Sequence, residues 1–160
     1  MKTTTVAILM HQRIDNYRLF EKKVSKELSR LIEEENAETF LFSAPSYTEY
    51  YCAQVLKNLK RYYPLIKCVY VKKIHEDLSE SDEKFLFYNF DEICIPEIFK
   101  SKSLYYNRYR IMVEKCDILV TYYEINHMLL KGKLSTIKSA VEYALKENKR
   151  IINLADELKK

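Results

Sequence analysis

The chain of 160 residues is 48% hydrophobic and 31% charged, with a formal net charge of +4. These values predict a single globular domain that is long enough to bury its own core. The lysines and arginines form no basic block, so the charge pattern disfavours a nucleic-acid partner. Glycine occurs only once, which is unusual for a nucleotide-binding protein, because phosphate loops generally need glycine where the backbone approaches the phosphate.

Cysteine spacing and hydropathy narrow the class of protein further. The chain has four cysteines and no C-x-x-C pair: Cys52, Cys68, Cys94 and Cys116. This spacing argues against a disulfide framework or a zinc site and predicts reduced, mostly buried thiols. His75 and His127 also lack metal-ligand spacing, so neither a metal nor another cofactor is predicted. With no apolar run near the roughly 18 residues of a membrane span and no signal-peptide pattern, we expect a cytoplasmic protein without membrane contact.

Short apolar runs alternate with amphipathic segments along the chain. Six runs are predicted to be strands: Thr4–Met10, 39–43, 66–71, 90–95, 117–122 and 150–154. Five helices are predicted between them: from a cap at Asp15 or Asn16 to about Glu35, over 47–61, from a cap at Ser79 or Ser81 through 84–87, over 105–115 and over 134–145. The alternation predicts an α/β fold: one Rossmann-like, three-layer α/β/α domain over residues 1–160, with a mainly parallel sheet of about five to six strands.

The C-terminal stretch 116–154 is the most regular part of this pattern. Strand 117–122, an amphipathic helix and strand 150–154 form a βαβ unit. Such a unit has parallel strands and a right-handed crossover. Because ligands of open α/β sheets bind beyond the carboxyl ends of the strands, the unit predicts a site in the segment 122–136.

Two segments carry a resemblance to a known family: NRYRIMVEKCDILVTYYE and STIKSAVEYALKENKRIINLA. In their order along the chain they resemble the YpsA-like branch of the SLOG superfamily, the Rossmann-like group that includes the Smf/DprA and LOG proteins. That branch has R-N-x-x-M-V-D before S-D-x-L-I-x-V-Y, and later G-G-T with V-x-Y-A-x-x-x-x-K-x-I-I. The most specific matches are 112–114, 117–120 and 141–152. The resemblance spans nearly the whole chain and implies a domain that binds nucleotides or nucleotide-derived ligands.

Carried over residue by residue, the resemblance implies ligand contacts at several strand ends. The positions that fall on or beside family motifs are His11, Arg13, Ser43, Asn107, Arg108, Ser135 and Thr136. Asn107 lies one position before the Arg of R-N, and Ser135 and Thr136 stand where the family has G-G. Most of the neighbouring family glycines are replaced, for example by Met10, Ala44 and Pro45. A Cβ at such positions blocks the closest approach of the backbone. We therefore expect side chains, more than backbone, to hold the ligand.

Each of these positions also has an ordinary structural explanation. His11 and Arg13 stand where a phosphate could meet them, but they also fit a plain loop in which Arg13 pairs with a carboxylate. Ser135 and Thr136 offer hydroxyl and N–H groups at a helix start, which favours an anion and equally favours simple N-capping.

Two further positions have the same double interpretation. Arg108 with Asn107 can clamp a phosphate or carboxylate, or Arg108 can form a surface salt bridge. Tyr122 is one of several tyrosines near predicted strand ends; it can stack on a base or belong to the core.

Two carboxylates are candidates for catalysis if the protein is an enzyme. LOG-type cytokinin-activating hydrolases, which the family includes, cleave an N-glycosidic bond with an Arg and a Glu. In this chain Glu49 and Glu142 could stabilise or attack an oxocarbenium-like centre. The alternatives are that Glu49 meets a helix dipole and that Glu142 lies on a solvated helix face.

The sequence thus supports three hypotheses of different classes. The first is a binding module or sensor for a nucleotide-type small molecule. The second is a nucleoside or nucleotide N-glycosidase or glycosyl transferase that uses a glutamate. The third is a degenerate family member that binds a protein partner. The resemblance also makes a homo-oligomer an expectation.

Overall fold

The computed structural model describes residues 2–10, 14, 16–43, 46–72, 78–94, 108–122 and 136–155. Within them, six strands form one sheet in the order β4-β3-β2-β1-β5-β6, and every neighbouring pair is parallel. The strands are β1 Thr4–Met10, β2 Ala37–Phe42, β3 Lys67–Val71, β4 Glu92–Cys94, β5 Ile118–Tyr122 and β6 Arg150–Asn153. The predicted α/β class and parallel sheet are confirmed.

Five helices in the described ranges cover both faces of the sheet. They are α1 Tyr17–Glu35, α2 Tyr47–Leu59, α3 Glu80–Asn89, α4 Arg108–Lys115 and α5 Thr136–Lys146. Helices α1 and α2 pack on one face, and α4 and α5 pack on the other. Helix α3 lies beside α2, where the Tyr50 and Phe85 rings stack with centroids 5.6 Å apart. The predicted three-layer arrangement is therefore correct.

Strand β1 shows why a continuous apolar run belongs at the centre of such a sheet. Successive side chains of a strand point to opposite faces. Val6, Ile8 and Met10 join the core beneath α1 and α2, while Ala7 and Leu9 join the core beneath α4 and α5. Since helices cover both faces, no position of the strand can be polar without a partner.

Side-chain caps fix three of the helix starts. Asn16 Oδ1 accepts a hydrogen bond of 3.1 Å from Leu19 N, and Ser79 Oγ accepts one of 3.1 Å from Asp82 N. Ser46 caps α2 in the same way. Asn16 and Ser79 were each one of two predicted caps; Ser81 lies inside α3, and Asp15 lies outside the described residues.

Among the strands, the largest boundary differences from the prediction occur at β2 and β4. Strand β2 begins at Ala37, two residues early, because Ala37 pairs with Thr4 at the start of β1. Strand β4 is only three residues long, since Phe90 packs into the core and Asp91 turns the chain into the strand. No helix within the described ranges is both long enough and apolar enough to cross a membrane.

Candidate functional site

The candidate site lies at the carboxyl edge of the sheet, next to strand β1. At this strand the order in which the chain adds strands to the sheet changes direction. Strand β1 lies between β2 and β5. The chain passes from β1 to β2, β3 and β4 in one direction, and then returns to the other side of β1 to form β5 and β6. This reversal is the topological switch point at which open α/β sheets bind ligands.

Polar side chains replace the apolar pattern at this edge, on the face covered by α4 and α5. Thr121 pairs with Leu9 on one side and with Asn153 on the other. Ser43 lies two residues beyond Leu41, which pairs with Ala7, so strand alternation brings Ser43 level with Leu9 on the same face. Ser43, Leu9, Thr121 and Asn153 therefore form a row across four neighbouring strands, which we call the edge row.

Two hydroxyl groups of the edge row are buried without a hydrogen-bond partner among the residues that the structure describes. They are Ser43 Oγ and Thr121 Oγ1, and neither residue is exposed to solvent. A buried polar group left unpaired costs about 1–3 kcal/mol. Native proteins keep few such groups, and each one calls for an explanation, such as a binding role. The edge row is thus the most unusual polar feature in the described part of the chain.

Glu49 also reaches this edge, and its carboxylate is buried, with the residue only 2% exposed. It is the third residue of α2, behind the cap Ser46. Its Oε1 atom accepts a hydrogen bond of 2.9 Å from the backbone N–H of Ser43. This bond ties the end of β2 to the first turn of α2. The position agrees with the helix-dipole interpretation of Glu49 and leaves its carboxylate little access to solvent.

Arg108 is the first residue of α4 and supplies a half-buried positive charge at this edge. Its Nη1 atom lies 3.5 Å from the hydroxyl oxygen of Tyr70, and its guanidinium lies 5.3 Å from the Tyr109 ring centroid. Burial acts to lower the pKa of Arg108, but contacts with Tyr109 and Tyr70 together raise the pKa above its usual value. The side chain therefore stays charged at any physiological pH.

The structure places Tyr122 and Glu142 away from the edge row. The Tyr122 ring lies in the core on the α1 and α2 face, where it meets Phe20 edge-on with centroids 5.6 Å apart. Glu142 is exposed on α5, on the side opposite to the buried Ile137, Ala140 and Ala144. Glu49 belongs to the α2 layer, so the sheet separates the two candidate carboxylates.

Several predicted site residues cannot be placed. His11, Arg13, Asn107 and Ser135 lie outside the described residues. Thr136 is described only as the first residue of α5. Among the sequence-predicted positions, the structure therefore brings Ser43, Glu49 and Arg108 to the carboxyl edge.

Sequence reasoning missed two members of the edge row, Thr121 and Asn153. The signal for Thr121 was the one threonine in the strand ILVTY, next to the Tyr122 that we selected. Asn153 ends the last strand, and its Oδ1 atom accepts a hydrogen bond of 3.0 Å from Ala155 N. Both residues stand at strand ends, which is the position that the switch-point rule identifies.

Comparison with known proteins identifies no relative: neither a model of a known protein family nor a curated protein sequence matches this chain. Within the described residues, no group of three His, Cys, Asp or Glu side chains is placed to hold a metal ion.

Proposed function

We propose that this protein binds a nucleotide or nucleotide-derived small molecule at the carboxyl edge of its sheet, as a sensor or binding module. The ligand lies against the edge row between the starts of α4 and α5. It takes hydrogen bonds from side chains, since the family's glycine positions carry side chains here.

The observation that carries this proposal is the pair of buried hydroxyls, Ser43 Oγ and Thr121 Oγ1, which have no partner among the described residues. They flank Leu9 at the switch point. A hydroxyl can both donate and accept a hydrogen bond. Ribose hydroxyls, phosphate oxygens and base amides of a nucleotide supply the complementary groups, so binding would recover the free energy that the unpaired hydroxyls cost.

The charges at this edge support an anionic part in the ligand. Arg108 keeps its positive charge, and arginine binds phosphate or carboxylate with two parallel hydrogen bonds. Helices α4 and α5 run antiparallel to the strands, so their positive N-terminal ends also face this edge. Both features favour a phosphate close to Arg108.

Calorimetry with a panel of nucleoside mono- and diphosphates, ADP-ribose-like compounds and cyclic dinucleotides tests the proposal. We expect at least one compound to bind. The substitutions Ser43→Ala, Thr121→Val and Arg108→Ala should each weaken its binding by about tenfold or more, since hydrogen bonds to a charged group contribute about 1.5–3 kcal/mol.

Thr39→Val is the matched control. Thr39 lies on β2, on the same strand and face as Ser43 but four residues towards the amino edge, and it is half-buried. This variant should bind as tightly as the wild type. Failure of every compound to bind, or equal affinity in all three edge variants and the control, would overturn the proposal.

A further inference from the structure

Helix α3 has an apolar surface that is exposed in the described part of the chain. Its sequence contains Phe85, Leu86, Phe87 and Tyr88 in succession, yet Leu86 is its one buried residue. Phe87 is 83% exposed and Tyr88 is 77% exposed. A helix that is apolar around much of its circumference normally has its surface covered, and adjacent exposed aromatics mark an interaction site.

A groove deepens this surface at the ends of α2 and α3. Its volume is about 190 Å³, and its apolar walls include Leu56, Ile66, Phe87 and Tyr88. Lys60 and Asp91 form an ion pair within it. The turn that leads from α2 to Ile66 exposes two more large side chains, Tyr62 at 77% and Leu65 at 76%. We call Tyr62, Leu65, Phe87 and Tyr88 the α3 patch.

Contacts between the two helices show that α2 and α3 lie side by side in the same direction. The Tyr50 ring stacks on Phe85, and Gln54 Nε2 donates a hydrogen bond of 2.7 Å to Asn89 Oδ1. Near the end of α2, Lys57 Nζ lies 3.4 Å from the carbonyl oxygen of Tyr88. The start of α3 and the end of α2 are therefore at opposite ends of the pair.

Opposite charges occupy these two ends. The first turn of α3 carries three exposed acidic residues, Glu80, Asp82 and Glu83, of which Glu80 pairs with Lys84. The end of α2 and the turn after it carry three basic residues, Lys57, Lys60 and Arg61, of which Lys60 pairs with Asp91. Besides these intrachain pairs, Asp82 and Glu83 give the first end its negative charge, and Lys57 and Arg61 give the second end its positive charge. Phe87 and Tyr88 lie between the acidic end and the basic end. A surface with the order acidic, apolar, basic complements itself when it is turned through 180°.

From this charge order we infer that the α3 patch binds a second copy of the chain, with the two α3 helices antiparallel about a two-fold axis. Phe87 and Tyr88 of the two copies meet at the centre. The acidic first turn of α3 in each copy then faces the basic end of α2 in the other. Burial of the four patch side chains would remove on the order of 600 Å² per copy, which is most of the roughly 800 Å² that each partner buries in a stable interface.

Sedimentation equilibrium across a range of protein concentrations tests this contact. The wild type should be dimeric, and the double variant F87E/Y88E should be monomeric with at least a hundredfold weaker association. Leu145→Glu is the control, because Leu145 is 63% exposed on α5 in the opposite layer. It should leave the association constant unchanged, and thermal unfolding should show that all variants remain folded.

Charge reversal tests the orientation of the two copies. K57E/R61E should weaken association, since it places the same sign at both ends of the patch, and D82K/E83K should do the same. The variant with all four substitutions should regain most of the lost affinity, because the attraction is restored with its sign inverted. These losses should shrink as salt is raised.

Three results would overturn the inference. They are a monomeric wild type at every concentration, a dimer that persists in F87E/Y88E, and a four-site variant no tighter than either two-site variant. None of these measurements involves the ligand site at the carboxyl edge, so their outcome does not test the proposed nucleotide binding.

Discussion

Polar groups form hydrogen bonds within the chain at the amino edge of the sheet, whereas two buried hydroxyls at the carboxyl edge have no partner among the described residues. At the amino edge, Asp117 accepts a hydrogen bond of 2.9 Å from Thr5 N through Oδ2, while its own N–H donates one of 2.8 Å to Thr5 O. Asp91 repeats this arrangement with Cys68, at 2.8 and 2.9 Å. The same residue type thus fastens the start of β5 to β1 and the start of β4 to β3.

Ion pairs add to the closure of the amino edge. Arg30 contacts Glu27, Glu34 and Glu35 on its own helix, and Arg150 at the start of β6 pairs with Glu35. The pair between Glu35 and Arg150 joins the end of α1 to the edge strand β6. In this part of the molecule, charges are matched within the chain.

At the carboxyl edge, by contrast, Ser43 and Thr121 bury hydroxyls that no described residue pairs. Apolar side chains of the same shape at these two positions would make the protein more stable, because they would remove the free-energy cost of burying an unpaired hydroxyl. Polar groups of the amino edge therefore stabilise the fold, while the two buried hydroxyls of the carboxyl edge cost stability, as the proposed ligand site requires.

The rate at which cysteines react with a thiol reagent should differ most between the two edges. Burial raises the pKa of Cys68 to about 12 and of Cys116 to about 11, and both lie towards the amino edge. Cys94 ends β4 at the carboxyl edge and is only partly buried. Because the thiolate is the reactive form, a thiol reagent at pH 8 should modify Cys94 at least about a hundred times faster than Cys68 or Cys116. Mass spectrometry of the labelled peptides measures the rates.

Cys94→Ser is the control for this experiment, and it should remove the fast phase and leave the slow phases unchanged. Rapid labelling of Cys68 or Cys116 in the native protein would mean that the amino edge opens easily. The proposed difference in stability between the amino edge and the carboxyl edge would then be wrong.

The next largest effect concerns the buried hydrogen bond between Glu49 and the backbone of Ser43 at the carboxyl edge. Glu49→Ala leaves the buried N–H of Ser43 unpaired, so we expect the free energy of unfolding to fall by about 3 kcal/mol. Glu49→Gln keeps an acceptor oxygen and should cost clearly less. Urea unfolding followed by circular dichroism measures both.

Asp117→Ala is the matched change at the amino edge. It removes the acceptor for Thr5 N, but that bond is exposed, so water can replace the carboxylate and the cost should be nearer 1 kcal/mol. A larger loss in Asp117→Ala than in Glu49→Ala would contradict the burial argument.

The smallest expected change in the free energy of unfolding is a gain, and it is measured by comparing the same substitution at two threonines. Thr121→Val replaces the unpaired hydroxyl by a methyl group of similar size, so the ligand-free protein should become more stable by about 1 kcal/mol. Thr39→Val, on the half-buried part of β2, should change stability by less than about 0.5 kcal/mol. Thermal unfolding without ligand measures both variants. Destabilisation by Thr121→Val would show that its hydroxyl has a partner within the chain.

The elements of the fold could be predicted because their signals are local. Strand β1 matches its prediction from Thr4 to Met10, and α1 ends at Glu35 as expected. Apolar periodicity and capping side chains act over a few residues, so one sequence is enough to recognise them. Strand β4 was predicted too long because Phe90 is apolar like a strand residue, and only its packing against Phe42 and Tyr70 shows that it serves the core.

The site was harder to predict because it depends on contacts between distant segments. Ser43 and Thr121 belong to different strands, separated in the sheet by β1. Glu49 was a candidate for catalysis as a carboxylate, and the structure shows that this carboxylate accepts a hydrogen bond from the backbone N–H of Ser43. Tyr122 was selected for its place at a strand end, but strand alternation directs its ring into the core on the face of α1 and α2.

The sequence alone was enough for the α/β class and for the order of strands and helices, and it predicted the carboxyl edge as the place for a ligand. These follow from hydrophobic periodicity and from the right-handed crossover of parallel strands, which leave few alternatives. Tertiary packing alone shows which polar side chains share that edge, which ones cap helices, and that the α3 patch is exposed within the described part of the chain. Those outcomes depend on strand register and on which side chains a helix buries, and both arise when segments far apart in sequence pack together.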